Sequence, residues 1–219
     1  MPARCESSGS TERRRSQYPC GVNRPPSQAL SDVAIRSALR TRLLREHHHE
    51  SDMVLVEELG LCRGTVRADL AVVNGSIHGY EIKSDRDSVR RLTSQALTYG
   101  RVFDRSTLVV GDRFLSAAEL LPAWWGILHA RQTPDGLKFR TVRKARLNRQ
   151  KDPRAIVELL WSEQALALLE RRGLDRGVRS KARRFLWDRL CAELSVREIS
   201  DAVRAHLKTS RGNPTHREP

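Results

Sequence analysis

The sequence predicts an α/β fold with a mixed sheet, in the order helix, three-strand meander, helix, strand, followed by a basic, mainly helical C-terminal extension. Three observations carry this. Residues 67–85 have the alternation of a half-buried strand pair around Asn74-Gly75, the strongest short hairpin signal in the chain, and follow a β-rich run at 53–59. Apolar residues recur at spacings of three and four on both sides of that stretch. Leu108-Val109-Val110 before Gly111 reads as a short buried strand, reached from the meander by a helical crossover.

Each element has its own justification. Ser31 or Asp32 caps a helix running to about Arg45, with Val33, Ile35, Leu39, Leu43 and Leu44 on its apolar side. Met53–Leu59, Thr65–Val73 and Ile77–Ser84 are the three strands. Asp87 caps the second helix, where Val89, Leu92, Ala96, Tyr99 and Phe103 recur along one side. Past residue 115, Trp124-Trp125-Gly126 leads into β segments at about 126–131 and 137–143, joined by the turn-like Thr133-Pro134-Asp135-Gly136. Residues 154–171, 180–193 and 196–208 read as helices, the last opened by a Ser195/Glu198 capping box. The resulting division is a disordered basic tail at 1–27, an α/β core at 28–115, a basic hairpin and linker at 116–152, a helical extension at 153–210 and a disordered tail at 211–219.

Composition narrows the function classes. The chain has 40 Lys+Arg against 26 Asp+Glu, a formal net charge of +14. That balance favours a polyanionic partner, nucleic acid first and an acidic membrane surface second. No apolar run reaches the length of a membrane span, and the N-terminus lacks the apolar region of a signal peptide. Cys5, Cys20, Cys62 and Cys191 show no metal-ligand spacing and read as reduced thiols of a cytoplasmic protein. A phosphate loop of the G-x-x-x-x-G-K-[ST] type is absent, so ATP hydrolysis by the chain alone is not expected. The excess charge flanks the core: residues 28–115 hold 13 basic and 12 acidic side chains, residues 131–154 nine and two, residues 171–219 13 and six. Arg140, Arg143, Lys144, Arg146, Arg149 and Lys151 crowd into one acid-free stretch and are the candidate nucleic-acid grip.

The predicted strands contain three groups that half-buried strands usually avoid. Asp69, Glu81 and Lys83 stand among Val, Ile, Leu and Tyr, where an isolated charge costs several kcal/mol. Glu81 and Lys83 share a strand face. Pairing around a two-residue Asn74-Gly75 turn puts position 69 roughly opposite position 80, within reach of Glu81. Two adjacent carboxylates cannot both stay ionised cheaply without a positive partner. A hard, oxygen-preferring cation such as Mg²⁺ resolves the conflict, with Lys83 beside it to orient a water molecule. Gln95 and Tyr99, at i and i+4 on the following helix, reach one common spot. An E-x-K triplet by itself is more often a surface ion pair of little worth. The second acid and the apolar context set this one apart.

Asp69, then Glu81-Ile82-Lys83, then Gln95-Ala96-Leu97-Thr98-Tyr99 resembles the signature of the PD-(D/E)XK nuclease superfamily, in its RecB-like Q-x-x-x-Y branch. The stretch "VEELGLCRGTVRADLAVVNGSIHGYEIKSDRD", with "PAWWGI" and "ELLWSEQALALL", is similar to a small bacterial and phage family named after a Sorangium locus tag, the sce family. Ala68 stands where the eponymous proline would be. The resemblance implies a restriction-endonuclease-like core and metal-dependent hydrolysis of phosphodiester bonds, most readily of DNA. It implies Mg²⁺ or Mn²⁺ held by Asp69, Glu81 and the Ile82 carbonyl, and Lys83 positioning the attacking water. Gln95 and Tyr99 would steady the scissile phosphate or the lysine. An upstream acid from Glu57-Glu58 would complete the metal shell, and Glu58 is the favoured one.

Other candidates carry less. His47-His48-His49-Glu50 could bind a metal, but consecutive histidines at a helix end diverge, and the stretch reads as a solvated loop. Trp124 and Trp125 could stack on bases, though a pair beside Pro122 and Gly126 more often packs a junction. Gly79 marks a bulge or a close backbone approach. The competing function class is a non-catalytic nucleic-acid-binding or regulatory protein, with helices 180–193 and 196–208 as a helix-turn-helix on an α/β scaffold. A homodimer is a candidate assembly for either class.

Overall fold

The computed structural model describes residues 30–210, so both tails read as disordered lie outside the described residues. Six strands form one mixed sheet in chain order: β1 (Val54–Leu61), β2 (Val66–Val73), β3 (Ile77–Lys83), β4 (Arg105–Val110), β5 (Gly126–Thr133) and β6 (Gly136–Arg143). The pairs β1–β2, β2–β3 and β5–β6 are antiparallel, and β3–β4 and β4–β5 are parallel. The β5–β6 hairpin therefore extends the same sheet as the meander.

Among the described residues, helix α1 (Asp32–Glu46) is the one helix packed on one face of the sheet. Of the two candidate caps, Ser31 is the one: its side chain accepts from the Ala34 N–H, while Asp32 begins the helix. Ile35, Leu39 and Leu43 form a single i, i+4, i+8 stripe against Leu70, Val72, Tyr80, Ile82, Val109 and Leu128. Val33 and Leu44, placed on that side by the sequence, flank the stripe and are exposed. One helix touching a flat sheet buries a narrower arc than one wedged between neighbours.

The opposite face is covered by α2 (Leu92–Val102) and a helical layer of α3 (Pro153–Val157), α4 (Ser162–Arg171), α5 (Arg183–Glu193) and α6 (Val196–Ser210). Trp125 is buried in this face and stacks on Tyr99 at 5.2 Å between centroids, so it packs the core and offers no face to a base. A Cβ on Gly79 would meet the Phe103 ring at 2.4 Å, which makes close approach the reason for that glycine. Among the described residues no helix is long and apolar enough to cross a membrane. Cys62 and Cys191 are free thiols.

Three local expectations change. Helix α2 begins at Leu92, because the Asp87 carboxylate turns back to accept from the Ser84 N–H and hydroxyl, both at 2.7 Å, and caps nothing. The helix expected over 154–171 breaks between α3 and α4, where the Leu160 carbonyl accepts from the Trp187 indole N–H at 3.0 Å. The β2–β3 loop has three residues, with Val73 paired to Ile77. Asn74 Oδ1 accepts from the Ser76 N–H at 3.0 Å, an Asx turn that adds one residue to the loop. The added residue shifts the register by one.

Candidate active site

That shift matters. Regular pairing between β2 and β3 ends at Leu70–Tyr80, so the next position along sets Asp69 opposite Glu81. Here a side chain replaces the ladder: Asp69 Oδ2 accepts from the Ile82 N–H at 2.6 Å. Glu81 lies on the α2 face, 2% exposed. Its Oε1 accepts from Lys83 Nζ at 2.5 Å and Gln95 Nε2 at 2.7 Å, and its Oε2 from the Tyr99 hydroxyl at 2.5 Å. Gln95 and Tyr99 thus meet at one spot as their i, i+4 spacing requires, but the spot is the Glu81 carboxylate. The position the resemblance assigns them, on lysine or phosphate, is taken by that acid. Burial first, then Glu81, holds the Tyr99 phenol well above its usual range, so it serves as a neutral donor.

Arg36 on α1 is the residue the sequence reading missed. Its guanidinium binds Asp69 Oδ1 at 2.7 Å, the Asp69 carbonyl at 3.0 Å and Glu58 Oε1 at 2.6 Å. Burial opposes its charge, yet Asp69, Asp32 and Glu58 together raise it above the ordinary arginine range. The only prior hint was Asp32 one turn before it, an i, i+4 pair like any surface pair. Of the two candidate upstream acids, Glu58 shares Arg36 with Asp69, while Glu57 pairs with Arg40 at 3.1 Å. Glu58 also holds φ of 52° in mid-strand, a left-handed conformation that costs a non-glycine residue on the order of 1–3 kcal/mol.

The electrostatics are unbalanced at one group. Burial first, then Glu81, lifts the Asp69 carboxyl from 3.8 to about 6, against the pull of the Ile82 N–H and Arg36. Arg36 thus offsets part of what burial and the facing carboxylate do to Asp69, and burial is the larger of those two causes. The donor chemistry suits a hard divalent cation: two carboxylates, the Ile82 carbonyl, and Gln95 Oε1, which is buried without a donor. Glu58 does not join them in a cage. Among the described residues no three His, Cys, Asp or Glu side chains stand close enough together to hold a metal. Glu58 faces Arg36 instead.

The basic stretch divides into two kinds of residue. Arg143 donates to the Trp125 carbonyl at 2.7 Å and reaches the Pro122 carbonyl, and Lys151 binds Asp104 at 2.5 Å. Lys151 is neutralised in that buried pair, whereas Arg143 is fixed in position by neutral carbonyls and keeps its charge. Arg140, Lys144, Arg146 and Arg149 are exposed. A second cationic surface lies on the helical layer, where Arg183 stacks over both Trp161 and Trp187 and the Trp161 side is exposed. On helix α6, Arg204 pairs with Asp201 and Lys208 with Asp52, while Ile199, Val203 and Leu207 are buried. The histidine run turns after α1, where His47 Nδ1 meets Glu50 Oε1 at 2.7 Å and Glu50 Oε2 accepts from Asn74 at 2.8 Å. It ties the helix end to the β2–β3 loop.

Comparison with known proteins gives the chain a family. Protein cII of Enterobacteria phage P4 is 26% identical over 159 residues, 72% of this chain and 60% of that protein. The chain thus spans about 60% of the length of the curated relative it matches. A solved structure, the SPO1766 protein of unknown function from Silicibacter pomeroyi, is 25% identical and covers 74% of this chain and 100% of its own, with a TM-score of 0.39. The sequence profile of the family described as Bacteriophage P4 protein cII matches residues 26–216, most of the chain, and this protein belongs to that family.

Proposed function

We propose that the chain acts on nucleic acid, and that its acid cluster hydrolyses phosphodiester bonds with Mg²⁺ or Mn²⁺. In this reading α1, β1–β3, α2 and β4 make up a restriction-endonuclease-like core of the PD-(D/E)XK type. The observation that carries it is the meeting of Asp69 and Glu81 at facing strand positions, with Lys83 on Glu81 and the Asp69 carboxyl left at about 6. One perturbed acid, Asp69, facing a second carboxylate beside the strained Glu58 backbone is the physical motive for a functional site here. Asp69, Glu81 and the Ile82 carbonyl would hold the ion, which when bound polarises a phosphoryl oxygen and lowers the pKa of water. Lys83 would orient the attacking water. Gln95 and Tyr99 fix the Glu81 carboxylate, and Arg36 keeps Asp69 and Glu58 apart in charge. DNA is the expected substrate, gripped by Arg140, Lys144, Arg146 and Arg149 and by the Trp161–Arg183 surface.

A second reading has specific support. The family and its phage relative bear a name that states no hydrolytic activity, so on the comparisons a non-catalytic nucleic-acid-binding or regulatory protein stands ahead. Every carboxylate oxygen of Asp69 and Glu81 also already accepts a hydrogen bond, as in a satisfied structural network. One experiment separates the two. The purified chain is incubated with Mg²⁺ or Mn²⁺ on single-stranded, duplex, branched and RNA substrates, with a chelator control. Chelator-sensitive product supports hydrolysis. Tight binding with no product on any substrate supports the second reading.

A further inference from the structure

A cleft of about 310 Å³ opens on the α1 face, away from the acid cluster. The last turns of α1, the starts of β3 and β4, and the end of β6 with the residues after it form its walls. The alternation of β3 sends His78 and Tyr80 toward this cleft and Glu81 and Lys83 to the other face. From His78 to Glu81 is roughly 10 Å along the strand at about 3.3 Å per residue, so the two sites do not merge.

The cleft carries four cations, Arg42, Arg105, Arg143 and Lys144, against one acid, Glu46. Glu46 is already paired with Arg42 at 2.7 Å. Arg143 is held by main-chain carbonyls, which fix its position without cancelling its charge. Among the described residues, no ion pair to an acid is found for Arg105 or Lys144. Burial, then Arg146, lowers the Arg143 pKa, and burial, then Arg105, lowers His78 to about 3. Beyond the Arg42–Glu46 pair, the charges of Arg105, Arg143 and Lys144 are crowded with no further acid in the lining, in a partly enclosed setting that strengthens their attraction for anions. Neutral His78 stacks on Tyr80 at 4.4 Å and bonds Thr107 through Nε2 at 2.8 Å, so the two rings line the cleft side by side with the Thr107 hydroxyl next to them.

We propose that this cleft binds a phosphomonoester of nucleotide size, with the phosphate on Arg105 and Lys144 and the base against the His78–Tyr80 floor. The volume is at the lower end for small-ligand sites, about 300–1,000 Å³, and fits one nucleotide. Two sources share this chemistry: a free mononucleotide and the 5′-phosphorylated end of a strand. The inference rests on the charge and shape of the cleft and stands whether or not the acid cluster is catalytic.

Calorimetric titration of the full chain tests it, with inorganic phosphate, AMP, and one short oligonucleotide carrying either a 5′-phosphate or a 5′-hydroxyl. AMP should bind saturably and at least about tenfold tighter than phosphate, since the ring contributes. Arg105→Gln with Lys144→Gln should weaken AMP at least about tenfold without lowering the melting temperature. Lys144→Glu, at an exposed position, gives a second variant that leaves folding untouched. Lys83→Ala should leave AMP affinity unchanged, which separates this site from the acid cluster. Competition by the 5′-phosphorylated strand alone would assign the strand end as the source, and AMP binding without such competition would assign the free nucleotide. Absence of saturable AMP binding up to about 10 mM, or binding indifferent to both cleft variants, overturns the proposal.

Discussion

Among the described residues two buried lysine–carboxylate pairs have equal length, and their surroundings differ. Lys83 meets Glu81 and Lys151 meets Asp104, each at 2.5 Å and each largely shielded from solvent. Asp104 spends its other oxygen on the Ile77 N–H at 2.8 Å, and Lys151 reaches Ser200 of α6 at 3.2 Å. That pair pins the entrance of β3 to the helical layer, and no second acid disturbs it. Glu81, by contrast, faces Asp69, whose carboxyl stays raised even with Arg36 and an N–H upon it. Distance alone therefore does not distinguish the two pairs. A second carboxylate at the facing strand position does, and on the proposed reading that is the mark of the chemical site.

The largest stability effect should come from the structural pair. Lys151→Met leaves Asp104 buried without its cation and should cost about 3–5 kcal/mol in a denaturant titration, because breaking one side of a buried pair strands the other. A loss below about 1 kcal/mol would place Lys151 back at the surface, where ion pairs are worth no more than that.

The next effect concerns Asp69 and pH. Its carboxyl titrates near 3.8 unfolded and about 6 folded, so the protonated form is favoured by folding. The resulting stability is fully present below pH 3.8 and is lost as pH rises through about 6. The stability of Asp69→Asn relative to the parent should therefore rise by up to about 3 kcal/mol between those limits, at about 1.4 kcal/mol per pK unit. Melts of both proteins at stepped pH check this, and parallel curves would mean that Asp69 is unperturbed. Added Mg²⁺ should stabilise the parent by about 2.7 kcal/mol at a hundred times its dissociation constant. Asp69→Asn with Glu81→Gln should erase that gain. An equal gain in the double variant would put the cation elsewhere.

The smallest effect is on salt dependence. Lys144, Arg146 and Arg149 changed together to Ala should flatten the slope of log affinity against log salt by about two to three units on duplex DNA, at about 0.9 per phosphate contact. Anisotropy titrations at several salt concentrations give the slope, and an unchanged slope would move the grip to the Trp161–Arg183 surface.

What the sequence makes legible is local. A β-rich run placed β1 and period-two alternation β2 and β3, Ser31 or Asp32 and the Ser195–Glu198 box announced helix starts, and Asp69, Glu81 and Lys83 stood out as charges in apolar strands. What it hid depends on tertiary contact. The Asx turn at Asn74 moved the register by one residue and brought Asp69 opposite Glu81. Arg36 reaches the site from another layer, so nothing in its neighbours reveals it. Arg143 and Lys151 read as surface cations because only the fold supplies the carbonyls and the acid that claim them.

The central claim, that the Asp69–Glu81–Lys83 end of the sheet is chemical and the Asp104–Lys151 end structural, is tested most directly by cleavage with binding measured alongside. The parent, Lys83→Ala and Lys151→Met are assayed with Mg²⁺ on the best substrate found, below the melting temperature of each. The account predicts cleavage by the parent and by Lys151→Met, and a loss of about 10²–10⁴-fold in Lys83→Ala at nearly unchanged nucleic-acid affinity. Equal cleavage by all three proteins, or a matched loss of binding and cleavage in Lys83→Ala, would contradict it.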